Sequence, residues 1–180
     1  MTTPSDLEEL HELCHLKYRY ARGIGTQDFE LVEGCFTEDA KAWFAGGAFS
    51  FNGRDQLIAF LRAIITPELV SRHIVVHPEL TLVGPHVAKG IWRLRDVVHF
   101  TSASPVYSLA RLVGGKGMTG AAYYHGEYVK RDGIWKMSSI GFIRIFKAVE
   151  RPLRTSISAS VWRRGAEFTI CRQVTSSPSH

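Results

Sequence analysis

The feature that most constrains this chain is the order of its periodicities. Helical spacing is confined to about the first 65 residues, and long strand-like segments then follow one another. Leu7, Leu10, Leu13, Cys14, Tyr20, Ala21 and Ile24 recur at helical intervals behind Ser5-Asp6-Leu7-Glu8, which has capping-box spacing with Ser5 as N-cap. A long first helix is expected to end near Gly23 and Gly25. Asp28 is the expected cap of a short second helix through Leu31, Val32 and Cys35, and Thr37-Glu38-Asp39 reads as a turn. Lys41 to Phe51 has the look of a hairpin broken at Gly46-Gly47, and Asn52-Gly53 is a further turn signal. Asp55 is expected to cap a third helix that buries Leu57, Ile58, Leu61, Ile64 and Ile65 and stops at Pro67. Strands are predicted near 71–83, 86–100, 117–130 and 134–147, with Arg131-Asp132-Gly133 turning between the last two and an irregular stretch over 101–116.

Helices first and long strands afterwards imply an α+β fold rather than alternating α/β. Long strands joined by short turns make a mostly antiparallel sheet. One face of it needs apolar cover, and the three helices are what the chain has to cover it with. A curved sheet enclosing a pocket beneath helices follows, over residues 1–150. Residues 151–180 form a C-terminal extension richer in Arg and Ser, expected to be partly packed or disordered.

The length, 180 residues, suits one domain with a real core, and 45% hydrophobic with 22% charged residues is ordinary for a globular chain. No apolar run approaches the roughly 20 residues of a membrane helix, and the N-terminus lacks the pattern of a signal peptide. A cytoplasmic location without membrane contact is the expectation. The formal net charge is +5, with much of the excess at Arg151, Arg154, Arg163, Arg164 and Arg172. There is no dense basic block or nucleic-acid motif, so no nucleic-acid partner is expected. Cys14, Cys35 and Cys171 are far apart and odd in number, which argues for reduced thiols rather than a disulfide framework or structural zinc.

Several residues stand out as chemistry. In Ser71-Arg72-His73-Ile74-Val75-Val76-His77, alternation places 73, 75 and 77 on one strand face and Ile74 and Val76 on the other. A histidine facing a pocket can exchange a proton near neutral pH. Two histidines without a third ligand make a poor metal site, and no metal or organic cofactor is expected. Asp96 shares its face with Trp92, Leu94 and Val98, so its carboxylate needs a partner or an upshifted pKa; His73 across the sheet and a nearby arginine are both candidates. Arg93 and Arg95 point the other way. Tyr20 on the first helix is either core or a hydrogen-bond donor to a developing oxyanion. Tyr124 and Tyr128 share one face of their strand, while Tyr123, His125 and Glu127 share the other. Nucleotide-binding glycine motifs and a G-x-S-x-G elbow are missing from the sequence.

Taken in order, a set of short motifs resembles the SnoaL-like branch of the nuclear transport factor 2 superfamily. They are Tyr18-Arg19-Tyr20-Ala21-Arg22, Cys35-Phe36-Thr37-Glu38-Asp39-Ala40, Gly53-Arg54-Asp55, His73, His77-Pro78-Glu79, Tyr124-His125-Gly126-Glu127-Tyr128 and Arg131-Asp132-Gly133-Ile134-Trp135-Lys136. The resemblance spans about residues 6–150. It implies a cone in which a curved mixed sheet wraps around helices and a deep pocket. Members include polyketide cyclases, scytalone dehydratase, bile-acid 7α-dehydratase and hexachlorocyclohexane dehydrochlorinase, with ketosteroid isomerase a more distant relative. Much of that chemistry removes a proton from carbon and then eliminates, isomerises or closes a ring. By this resemblance His73 matches the strand histidine that acts as base, Tyr20 a pocket tyrosine and Asp96 a further strand aspartate. The aspartate that normally orients the histidine falls on Gly25. The reading that follows is a lyase, isomerase or cyclase acting on a hydrophobic, carbonyl-bearing small molecule such as a polyketide, steroid or terpenoid. Trp43, His77, Trp92 and Tyr124 are expected to contact the substrate. The loss at Gly25 leaves open a pocket that binds without catalysing. A homodimer or homotrimer is the expected assembly.

Overall fold

A computed structural model describes residues 3–106 and 117–150. The first helix, α1 (Pro4–Thr26), begins two residues earlier than Ser5 would have it. Thr3 is the N-cap: its hydroxyl accepts the Asp6 N–H at 3.2 Å, and the Asp6 carboxylate accepts the Thr3 N–H at 2.7 Å. Pro4 explains the shift, because a proline in the first turn forfeits an N–H that has no helical partner anyway. Leu7 lies outside the buried stripe, which is Leu13, Leu16, Lys17, Tyr20, Gly23 and Ile24. Gln27 ends the helix in the left-handed region (φ 57°), and its side-chain amide donates to the carbonyls of Thr66 and Leu69. The end of α1 is thereby tied to the start of the strand that carries His73.

Asp28 caps α2 (Phe29–Gly34) by accepting the Leu31 N–H, as expected. Thr37-Glu38-Asp39 is not a turn. It lies inside β1 (Phe36–Phe44), at an irregularity where the stretch from Phe36 to Lys41 runs beside only Met137 to Ser139 of the last strand. The bulge absorbs the polar triplet that the sequence displays as a turn signal. A short 3₁₀ turn, Ala45–Gly47, leads into β2 (Phe49–Asn52), completing the hairpin. Gly53, not Asp55, is the N-cap of α3 (Arg54–Ile64); Asp55 sits in the first turn, where its charge complements the helix dipole. Leu57, Ile58 and Leu61 are buried on α3, with Ile64 partly so and Ile65 buried just beyond it.

Four long strands follow: β3 (Leu69–Gly84), β4 (Val87–Phe100), β5 (Gly117–Arg131) and β6 (Ile134–Glu150). The six strands form one sheet in the order β2-β1-β6-β5-β4-β3. All neighbours are antiparallel except β1 and β6, which run parallel. The inner face, covered by the helices, carries alternate residues of each strand. These include Trp92, Leu94, Asp96, Val98 and Phe100 of β4, and Ala122, Tyr124 and Tyr128 of β5. No helix among the described residues is long and apolar enough to cross a membrane. Residues 151–180, assigned above to an extension, lie outside the described residues, as do 107–116.

Candidate functional site

The interior polar cluster is assembled by strand register. His73 on β3 and Asp96 on β4 are direct register partners on the inner face. Asp96 is 2% exposed, and its Oδ1 accepts a hydrogen bond from Arg144 Nη1 of β6 at 2.6 Å. The carboxylate therefore stands between an imidazole and a guanidinium. Such a buried charge is tolerable only because it is paired; removing a partner costs about 3–5 kcal/mol in comparable sites. Gly120 of β5 is what lets Arg144 reach it. A Cβ there would lie 2.5 Å from Arg144 Nη1 and 2.9 Å from Asp96 Oδ1.

His73 has its Nδ1 fully enclosed and without a hydrogen-bond partner among the described residues. Burial lowers its pKa to about 4, opposed by the Asp96 charge and assisted by Lys17 and Arg144. The ring is thus neutral throughout the physiological range, the state in which imidazole accepts a proton.

From the helical side, Tyr20 enters beside Tyr124 with ring centroids 6.2 Å apart and edge-on. Burial pushes the Tyr20 hydroxyl up to about 12 and that of Tyr124 well above its ordinary range. Both remain protonated donors at neutral pH. Lys17, one turn before Tyr20, is fully buried, and its Nζ lies 3.8 Å from the Tyr124 ring centroid and 4.7 Å from that of Tyr20.

Two of the other residues expected to contact substrate sit apart from this cluster, and Trp92 borders it as the cross-strand register partner of Tyr124. Trp92 is fully buried and its indole N–H donates to the Tyr128 hydroxyl at 2.8 Å, which is a satisfied core arrangement. His77 does not share the face of His73. A register shift between Val76 and Glu79 breaks the alternation, and His77 takes φ 51° with its side chain exposed. Trp43 faces the outer side of the sheet, laid over Gly141 and beside His125. Trp43 also lines a cavity of about 280 Å³ with Ala45, Gly46, Phe142, Ile143 and Arg144. None of His73, Asp96, Tyr20, Tyr124 and Lys17 lines that cavity; it borders their cluster through Arg144, which holds Asp96, and Phe142, which packs edge-on against Tyr124 at 5.8 Å.

Sequence reasoning misses Lys17 and Arg144. The signal for Lys17 is its place in the stripe Leu13-Leu16-Lys17-Tyr20-Ile24, where an apolar residue belongs. That for Arg144 is its alternation with Ile140 and Phe142 along β6.

Residues 5–140 match the SnoaL-like domain. The chain belongs to the SnoaL-like family. Its fold is shared with several solved structures. A type 2 hexachlorocyclohexane dehydrochlorinase (LinA) superposes with a TM-score of 0.70 at 16% identity, covering 84% of this chain and 95% of that one. A scytalone dehydratase-like protein from Novosphingobium aromaticivorans gives 0.68 at 17% identity, covering 84% and 97%. A Mycobacterium tuberculosis protein of unknown function gives 0.60 at 26% identity, covering 79% and 76%. Against the SnoaL-like pattern, the departure at Gly25 gains a structural meaning. A Cβ at Gly25 would lie 3.6 Å from the Ser71 carbonyl of β3, an ordinary contact, on the strand that carries His73.

Proposed function

We propose that this SnoaL-like protein is a lyase, isomerase or cyclase that removes a proton from carbon in a hydrophobic, carbonyl-bearing small molecule. His73 is the general base. The observation that carries the reading is the neutral, enclosed imidazole facing an aspartate that Arg144 clamps from the other side. In this site Asp96 stabilises the imidazolium that forms when the proton is taken, in the manner of a triad carboxylate. Tyr20 and Tyr124 supply hydroxyl donors to the oxygen on which negative charge develops. The apolar walls, Phe142 among them, select a substrate of low polarity.

Deuterium uptake from solvent at carbon next to the carbonyl, followed by NMR over a panel of hydrophobic ketones and enones, tests the proposal whatever the natural substrate is. The rate is expected to rise through about pH 4 as His73 loses its proton and to hold through neutrality. His73→Ala is expected to lower it by about 10²–10⁴-fold. Exchange at an undiminished rate in that variant sinks the assignment. The orphaned His73 Nδ1 and Gly25 favour a second reading, a binding module without catalysis. It predicts retention of the same ketones with no exchange in either form.

A further inference from the structure

We propose that Lys17 is an amine nucleophile that captures the substrate's carbonyl as an imine, so that the site takes aldehydes and ketones in particular. The inference deepens the reading of His73 as base and rests on it for the step after capture.

A lysine has no ordinary reason to be where Lys17 is. Its residue position is fully buried, and its Nζ has no hydrogen-bond partner among the described residues. The groups that surround it are two tyrosine rings, those of Tyr20 and Tyr124, and Cys35 is near enough to influence its charge. The nearest interior carboxylate, Asp96, is held by Arg144. A salt-bridging lysine would have an acid, and a snorkelling lysine would have its ammonium in water. Lys17 has neither. His73 is enclosed on the same inner face of the sheet as Tyr124, whose ring Lys17 Nζ touches. Desolvation brings the Lys17 amine down to about 7, so a large fraction is the free base at neutral pH. Desolvation in an apolar pocket is one of the ways an enzyme makes a lysine nucleophilic.

The chemistry balances within the site. The free amine forms a C–N bond to the carbonyl carbon, and both amine protons leave with the carbonyl oxygen as one water. A proton taken up from solvent at the imine nitrogen, and given back when water later frees the amine, makes an iminium, which the Tyr124 ring face stabilises at the position where Nζ already sits. The iminium acidifies the adjacent C–H. His73 takes that proton, the C–H electron pair moves into the C–C bond, and an enamine results. The enamine expels a leaving group from the next carbon or is reprotonated elsewhere, and water then releases Lys17 and the carbonyl.

Pentane-2,4-dione is a suitable probe, because it condenses with a free amine to a stable vinylogous amide and needs no reductant. The full-length protein is incubated with it at pH 7. Adduct is read by near-ultraviolet absorbance, by a mass gain of the dione less one water, and by peptide mapping. An ordinary lysine is free base in only about one molecule in two thousand at that pH. Lys17 is therefore expected to be modified at least 100-fold faster than Lys41, Lys89 or Lys136. Lys17→Met and Lys17→Arg are both expected to lose the adduct; the arginine variant keeps a cation and so separates nucleophile from charge. His73→Ala is expected to keep the adduct while losing deuterium exchange, which separates failure of the base from failure of the amine. Modification confined to surface lysines of the wild-type protein overturns the proposal, and so does undiminished exchange in a folded Lys17→Met.

Discussion

At residue 25 the chain has a glycine whose missing Cβ would sit in ordinary contact with the strand that carries His73. Aspartate fits there without displacing backbone. Gly25→Asp is expected to bring a carboxylate to the orphaned His73 Nδ1 and to lift the imidazole from about 4 toward its ordinary range. An NMR titration of the His73 ring protons reads the shift, and an unchanged midpoint shows that the new acid does not reach the ring. Lys17 makes a second prediction at this scale. Its folded-state pKa is depressed, so the protein resists protonating it, and that cost is fully present below about pH 7. Lys17→Met is expected to stabilise the fold by several kcal/mol, about 4 at pH 6, with the difference shrinking as pH approaches 10. Urea midpoints of the two proteins at both pH values check it. Stability given up at one buried amine is what a functional group costs and a structural one does not.

Elements explain why some of the site is readable in the sequence and some is not. Strict alternation over 71–83 and 86–100 puts His73 and Asp96 on one face, because a strand offers only two directions. The same rule fails at His77, where a bulge with a left-handed residue reverses the face, and bulges leave no signature in alternation. The first helix is recognisable, yet Lys17 within it is not, because lysine reads as solvated; only the buried stripe on both sides of it argues otherwise. Arg144 is hidden for a different reason. Its role depends on Gly120 of β5 leaving room between β4 and β6, and no local pattern records that space. Gly120→Ala is accordingly expected to cost about 1–3 kcal/mol through overpacking and to loosen the Asp96–Arg144 pair. In an Arg144→Met background the same substitution is expected to cost distinctly less, a coupling that a double-mutant cycle by chemical denaturation detects.

For the molecule as a whole, the buried groups set an unusual dependence of stability on pH. His73 has a folded pKa of about 4, below the 6.5 of an exposed ring, so its contribution is intact above 6.5 and is lost as pH falls toward 4. Lys17 adds stability as pH rises from about 7 toward its unfolded value. Tyr20 acts in the opposite sense: raised to about 12, it resists ionisation in the folded state, and stability declines once pH exceeds its unfolded value of 10. The maximum is therefore expected between about pH 8 and 10, above the usual range of about 5 to 8. Thermal unfolding across pH 4–11 tests this, and a maximum at or below 7 contradicts it.

The parallel pairing of β1 with β6 has a consequence for how the chain is made. The first strand to leave the ribosome pairs at once with β2 but finds its second partner only in the last strand, Phe36 beside Met137 and Trp43 beside Gly141. Until then the β1–β2 hairpin has no further neighbour in the sheet, and Phe44, Phe49 and Phe51 have α3 as their chief cover. Pairing at such sequence separation is slow to form and exposed to aggregation while it waits. Synthesis and folding are thus separate events for this chain: the sheet closes only once translation has passed β6, and a nascent chain stalled before residue 134 offers its unpaired hairpin to whatever chaperone is nearest.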